Sequence, residues 1–153
     1  MAAKKAAGKA GGAKKGGGAA GFSAEEKAAM KEYLREKRGG SKGDGEADVL
    51  AKIAGMAEGD RQMAERVHAV VRAAAPGLVP RTWYGMPAYS RDGNVVCFFQ
   101  NAGKFKARYS TLGFSDKAKL DEGAMWATSF AIVEWNAEVE GRVRELVRRA
   151  AGE

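Results

Sequence analysis

The run WYGMPAY at positions 83–89 constrains the fold more than any other stretch of this sequence. It combines three large aromatic side chains with a glycine and a proline. Gly85 tolerates positive φ, whereas Pro87 fixes its own φ and disfavours helical geometry at the preceding residue. We therefore expect the chain to bend here, next to extended segments, and we expect this bend to determine the shape of the protein surface around it.

The charge of the chain is divided unevenly along its length. Residues 1–43 contain 11 Lys/Arg and 4 Asp/Glu, and residues 44–153 contain 15 of each, so the net charge of +7 belongs to the first segment. Positions 2–21 use only Ala, Gly and Lys, a composition that predicts a disordered arm. The arm either binds DNA or RNA phosphates without sequence preference or is an inert extension. Its lysines are Lys4, Lys5, Lys9, Lys14 and Lys15.

The single cysteine and the lack of long apolar runs limit the classes of protein to which this chain can belong. Cys97 is the only cysteine, which excludes an internal disulfide and a paired-cysteine zinc site. The sequence has no apolar run of the roughly 18 residues that a membrane span requires, and its first residues lack the apolar core of a secretory signal. We expect a cytoplasmic protein.

Helical patterns occur in four places. Ser23 and Glu26 form a capping-box pattern, which predicts an isolated helix followed by a Gly-rich flexible linker within residues 22–45. Apolar stripes predict helices at 47–58, at 60–75 with Asp60 as its N-cap, and at 137–150 with Asn136 as its N-cap.

Strand patterns fill the region between the second and last of these stripes. They predict strands at 81–84, 88–91, 95–100 and 104–109, with a hairpin turn at Asp92-Gly93. A turn at 115–120 and an extended piece at 129–133 follow. The sequence therefore predicts a single α+β domain over 46–150, in which helices cover one face of an antiparallel sheet of about four to six strands.

Aromatic side chains around the expected bend are candidates for ligand binding. They can line a groove, or they can close one end of the core, because a half-buried Trp or Tyr with a wet polar tip is ordinary. The groove hypothesis predicts an unfilled concavity beside Met86. The candidate residues are Trp83, Tyr84, Met86 and Tyr89.

The segment 104–109 alternates cations with apolar residues. On a strand, Lys104, Lys106 and Arg108 would share one face, where they could bind a phosphate or another anionic metabolite. The same pattern is typical of a solvated sheet face or of an edge strand that lysines protect from aggregation.

Three segments, YGMPAY at 84–89, VVCFF at 95–99 and KFK at 104–106, carry a family resemblance together with the final amphipathic helix. Over about residues 46–150 the chain resembles the YdhG-like domain family of unknown function. Some members of that family are described as frataxin-like iron chaperones. The resemblance implies a compact α+β fold, an antiparallel sheet backed by helices, and usually no demonstrated activity. A non-enzymatic binding protein of this type would hold a metal ion such as iron or a small ligand.

An iron role would need oxygen ligands, which carboxylates supply. Acids at the start of a helix, however, also complement the helix dipole without any metal. The candidate ligands are Asp116, Asp121, Glu122, Glu134 and Glu138.

Catalytic chemistry has little support in the sequence. His68 is the only histidine and lies off its apolar stripe, so we expect a surface or boundary position; Cys97 should face the core with an inert thiol. No nucleophile elbow, phosphate loop or dinucleotide fingerprint is present. We expect a non-enzymatic binding protein, or alternatively a nucleic-acid-associated protein that acts through its lysine arm.

Overall fold

A computed structural model describes residues 23–39 and 45–153 of the chain. It contains a five-stranded antiparallel sheet with strands in sequential order, and helices that precede and follow the sheet. The α+β prediction is confirmed. The helices are α1 (Ala24–Gly39), α2 (Gly45–Ala54), α3 (Glu58–Ala74) and α4 (Ala137–Ala151). The strands are β1 (Val79–Trp83), β2 (Met86–Arg91), β3 (Asn94–Gln100), β4 (Ser110–Phe114) and β5 (Ser129–Ile132).

Two-residue turns join the first three strands. Tyr84 and Gly85 connect β1 to β2 with φ of 53° and 77°, and Asp92 and Gly93 connect β2 to β3 with φ of 53° and 82°. Positive φ at both central positions defines the type I′ turn, whose twist matches that of a hairpin. The expected bend is therefore a hairpin turn, and Pro87 lies inside β2 rather than at a kink.

The main core lies between one sheet face and helices α2, α3 and α4. Each contributing strand and helix places buried apolar residues in one cluster, which also includes Cys97. Because side chains alternate along a strand, the strand residues that lie between the core residues point to the other face of the sheet, which we call the outer face. The buried core residues include Val49, Ile53, Val67, Val71, Tyr89, Phe99, Leu112, Phe114, Val143 and Val147.

Helix ends follow the sequence signals in part. The Asn136 side chain accepts a hydrogen bond from the Val139 amide at 2.9 Å, which confirms it as the N-cap of α4. Asp60, in contrast, does not cap α3, which begins after Ala57. Its carboxylate accepts hydrogen bonds from Asn101 Nδ2 at 3.0 Å and from the Gly103 amide at 2.8 Å instead.

The strand expected at 104–109 is wrong. Residues Ala102–Lys104 form a short 3-10 helix, Lys106 has a φ of 56°, and β4 begins only at Ser110. Hydrogen bonds to residues outside the segment stabilise this connection. The Asp60 carboxylate accepts a hydrogen bond from the Gly103 amide, and the Ser110 hydroxyl accepts one from the Ala102 amide at 3.0 Å. A local alternation of cations and apolar residues could not reveal these distant partners.

Helix α1 begins with the expected capping box. Ser23 and Glu26 exchange two hydrogen bonds of 3.0 Å, each from a backbone amide to the other side chain. The sequence predicts an isolated helix here, but in the structure α1 packs on the outer face of the sheet, where Ala29 is buried and Tyr33 stacks on Tyr84. None of the helices in the described residues combines the length and the apolar character that crossing a membrane requires.

Candidate functional site

An apolar groove of about 400 Å³ lies between α1 and the outer face of the sheet. We call it the hairpin groove. Its floor and walls come from α1, from the β1–β2 hairpin, from β3 and from the segment after β3. It is lined by Glu26, Ala29, Met30, Trp83, Tyr84, Met86, Phe98, Gln100 and Phe105. An unfilled concavity thus lies beside Met86, as the groove hypothesis predicts.

Strand register brings the aromatic residues of the floor together. Trp83 pairs with Met86 at the end of the first hairpin, and Ala88 pairs with Phe98 in the next. Paired residues share a face of the sheet. The Trp83 and Phe98 rings consequently lie 5.2 Å apart between centroids, and Trp83 also meets Tyr84 edge to face at 5.0 Å.

Gly113 in β4 makes room for the Phe98 ring. It pairs directly with Phe98, and a Cβ atom at this position would overlap the ring. Phe98 can therefore lie flat across β4 instead of standing up into the groove. A glycine in a strand commonly marks such a close approach.

Helix α1 forms the roof of the groove, and a ring stack and ion pairs attach it to the rest of the structure. The Tyr33 and Tyr84 rings stack with centroids 4.2 Å apart and planes inclined by 9°. Two ion pairs join the helix to the body: Lys106 Nζ lies 3.2 Å from Glu25, and Lys52 Nζ lies 3.2 Å from Glu32.

Electrostatically, the hairpin groove is close to neutral. Glu26 is the one charged residue among its described lining residues, and its carboxylate accepts the Ser23 amide as part of the capping box. Gln100 adds one amide. Lys104 lies beside the groove, with Nζ 5.6 Å from the centroid of the Phe105 ring. The lining therefore favours an uncharged, largely apolar occupant.

Tyr89 does not belong to this groove, because alternation along β2 turns it to the core, where it is 1% exposed. Its hydroxyl lies 2.9 Å from His68 Nδ1, and His68 Nε2 lies 2.8 Å from a Glu46 carboxylate oxygen. If Nε2 donates to the carboxylate, Nδ1 accepts from the tyrosine hydroxyl. Burial raises the pKa of Tyr89 above its ordinary value, which keeps this donor protonated.

His68, for which a surface or boundary position is expected, is 8% exposed, and its side chain is buried between α2, α3 and β2, so the surface alternative is wrong. The prediction for Cys97 is confirmed. It faces the core with no exposed surface, and burial raises the pKa of its thiol to about 12. The thiol is therefore protonated at neutral pH and inert.

The structure brings two of the candidate metal ligands, Asp116 and Asp121, to one groove but does not gather all five. Asp116 and Asp121 line a second groove, and Glu122, the next residue in sequence, is exposed. Glu134 accepts a hydrogen bond from Asn136 Nδ2 at 3.4 Å, and Glu138 is in the first turn of α4. Within residues 23–39 and 45–153, no three His, Cys, Asp or Glu side chains are grouped so that they could hold a metal ion.

The three cations expected to bind an anion do not share a strand face. Lys104 closes the 3-10 helix, Lys106 pairs with Glu25, and Arg108 lies over the Tyr109 ring at 5.2 Å. The arm lysines Lys4, Lys5, Lys9, Lys14 and Lys15 lie outside the described residues.

Sequence reasoning identified three of the nine residues that line the hairpin groove, Trp83, Tyr84 and Met86, and missed the other six. The alternation in β3 already indicates that Phe98 faces away from Cys97, but nothing local shows that Met30 of α1 lies opposite it. Comparison with protein-family models, curated proteins and solved structures finds no match for this chain. The resemblance to the YdhG-like family stays a prediction.

Proposed function

We propose that the protein binds a small, uncharged aromatic molecule in the hairpin groove and does so without catalysing a reaction. The observation that carries this proposal is the groove itself: flat faces of Trp83, Tyr84 and Phe98 and the flexible side chains of Met30 and Met86 surround an open concavity. Offset and edge-to-face packing with such rings favours a planar aromatic guest.

The chemistry of the lining supports binding rather than catalysis. Of the described lining residues, Glu26 alone carries a carboxylate, and that carboxylate already accepts a hydrogen bond from the Ser23 amide. His68 and Cys97, the residue types most often used for acid–base and nucleophilic chemistry, are buried on the other side of the sheet. Binding of iron, which the family resemblance implies, has less support, since no three candidate donors are grouped within the described residues.

The size of the groove sets the expected affinity. A bicyclic guest of about ten heavy atoms, at about 0.5 kcal/mol per atom, gains about 5 kcal/mol. This free energy corresponds to a dissociation constant of about 0.2 mM.

The test is a titration of the 15N-labelled full chain with 2-naphthol, followed by the indole N–H signal of Trp83. We expect a saturable shift at Trp83, and weaker binding by Met30→Gln, which puts an amide into the roof of the groove. Leu34→Gln is the matched control, since Leu34 is 53% exposed on the same helix and does not line the groove.

Two results would contradict the proposal. One is a Trp83 signal that does not shift or does not saturate. The other is equal weakening by Met30→Gln and Leu34→Gln, because the effect would then come from the stability of α1 rather than from the groove.

A further inference from the structure

A second, larger groove of about 620 Å³ lies at the far end of the sheet from the first hairpin. We call it the loop groove, because the segment between β4 and β5 forms most of its wall. Its apolar lining comes from Phe114, Ala118, Leu120, Ala124, Met125 and Trp126. Its polar lining comes from Ser115, Asp116, Asp121 and Thr128.

The charge of the loop groove has one sign. Asp116 and Asp121 are its only charged described lining residues, and neither has a hydrogen bond or an ion pair to the described part of the chain. Many other carboxylates of the described surface are paired with a cation, as Glu140 is with Arg144 at 2.7 Å and Glu145 is with Arg148 at 2.7 Å. The neighbouring Lys119 does not line the groove.

An exposed aromatic face accompanies the two carboxylates. Trp126 is 38% exposed, and the adjacent Met125 is 87% exposed although both side chains are large and apolar. The face of a tryptophan attracts cations through its quadrupole, and quaternary ammonium groups are recognised in this way. Carboxylates near such a face add attraction at longer range.

The lining distinguishes a methylated ammonium from other cations. A divalent metal would need several oxygen ligands, and no group of three donors exists among the described residues. A primary ammonium could donate its N–H groups to Asp116 and Asp121, but its compact, strongly hydrated head would gain little from the apolar part of the lining. A methylated ammonium carries a dispersed charge and an apolar surface, which match Leu120 and Trp126.

We propose that the loop groove binds a small methylated ammonium compound, with Trp126 against its methyl groups and with Asp116 and Asp121 balancing its charge. This site is independent of the hairpin groove and of its aromatic guest.

The test compares three small molecules of similar size on the 15N-labelled full chain, read by the indole N–H signal of Trp126. Choline is the probe, 3,3-dimethylbutan-1-ol is its uncharged isostere, and ethanolamine replaces the methyl groups by N–H donors. We expect choline to bind most tightly, by about 2- to 30-fold over the uncharged isostere, and added salt to weaken its binding.

Variants of the carboxylates complete the design. Asp116→Asn and Asp121→Asn should each weaken choline binding several-fold with little effect on 3,3-dimethylbutan-1-ol. Glu122→Gln is the matched control, because Glu122 is an exposed carboxylate next to Asp121 that does not line the groove. Each of these outcomes would overturn the proposal: no saturable shift at Trp126, equal affinity for choline and either comparison molecule, or an effect of Glu122→Gln as large as that of Asp116→Asn.

Discussion

Removal of one buried hydroxyl should destabilise the protein measurably. Tyr89→Phe keeps the ring that is 1% exposed in the core but deletes the hydroxyl that lies 2.9 Å from His68 Nδ1 and is its hydrogen-bond partner. The imidazole nitrogen then faces a phenyl ring without a partner. Loss of one partner of a buried hydrogen bond costs about 1–3 kcal/mol. Glu46 holds the other nitrogen at 2.8 Å, which restrains the ring from turning away.

Urea unfolding measures this cost. With a loss of about 2 kcal/mol and a slope of about 1.5 kcal/mol/M, the unfolding midpoint should fall by about 1.3 M while the slope stays constant. The matched control is Tyr109→Phe, since the Tyr109 hydroxyl has no hydrogen bond within the described residues; we expect it to stay within about 0.5 kcal/mol of the parent. Equal midpoints for the two variants would refute the assignment of a stabilising role to the His68 contact.

Four further outcomes are expected. Burial opposes ionisation of Glu32, but hydrogen bonds from its basic partners outweigh burial and lower its pKa. The ionised Glu32 side chain therefore stabilises the folded state above its ordinary pKa of 4.5, and this stabilisation is lost as the pH falls through the lower pKa of the folded state. A series of unfolding free energies measured against pH should consequently show a smaller loss of stability in acid for Glu32→Gln than for the parent. Ellman's reagent should leave Cys97 unmodified in the native protein and modify it in urea, so fast native modification would contradict its burial. Gly113→Ala should cost about 1–3 kcal/mol because the new methyl displaces the Phe98 ring, and an unchanged unfolding midpoint would speak against that overlap. A gel shift with duplex DNA should depend strongly on salt and disappear when the lysines of residues 2–21 are changed to alanine; persistence of the shift would remove the arm from the interaction.

Short-range signals were sufficient for four of the five strands and for most of the helices, whereas the strand predicted at 104–109 lies instead at Ser110–Phe114. The Asp92-Gly93 pair and the alternation on either side of it predict the second hairpin, and Gly85 marks the turn of the first. The apolar stripe, the Asn136 cap and the Gly152 C-cap in left-handed conformation account for α4. In these segments the local preference and the tertiary packing agree, so the sequence alone determines the element.

Long-range partners decided the features that sequence reasoning got wrong. His68 lies off the apolar stripe of its helix, yet it is buried, and its two hydrogen-bond partners, Tyr89 and Glu46, come from other elements. Asp60 has a side chain of the type that caps helices, yet its carboxylate accepts hydrogen bonds from Asn101 and Gly103 in the segment after β3. The position of α1 over the sheet outer face is of the same kind, because a Gly-rich linker carries no information on where the helix packs.

The turn at Tyr84 has a consequence for any effort to make this protein more robust. Asparagine is the favoured residue at this position of a type I′ turn, whereas a bulky residue in the left-handed region is strained, by roughly 1–2 kcal/mol. The tyrosine nevertheless provides the ring on which Tyr33 of α1 stacks. Tyr84→Asn would therefore relieve the strain of the turn and, in the same step, weaken the attachment of the roof helix. Rigidity of the hairpin and retention of the roof are in a trade-off at a single side chain.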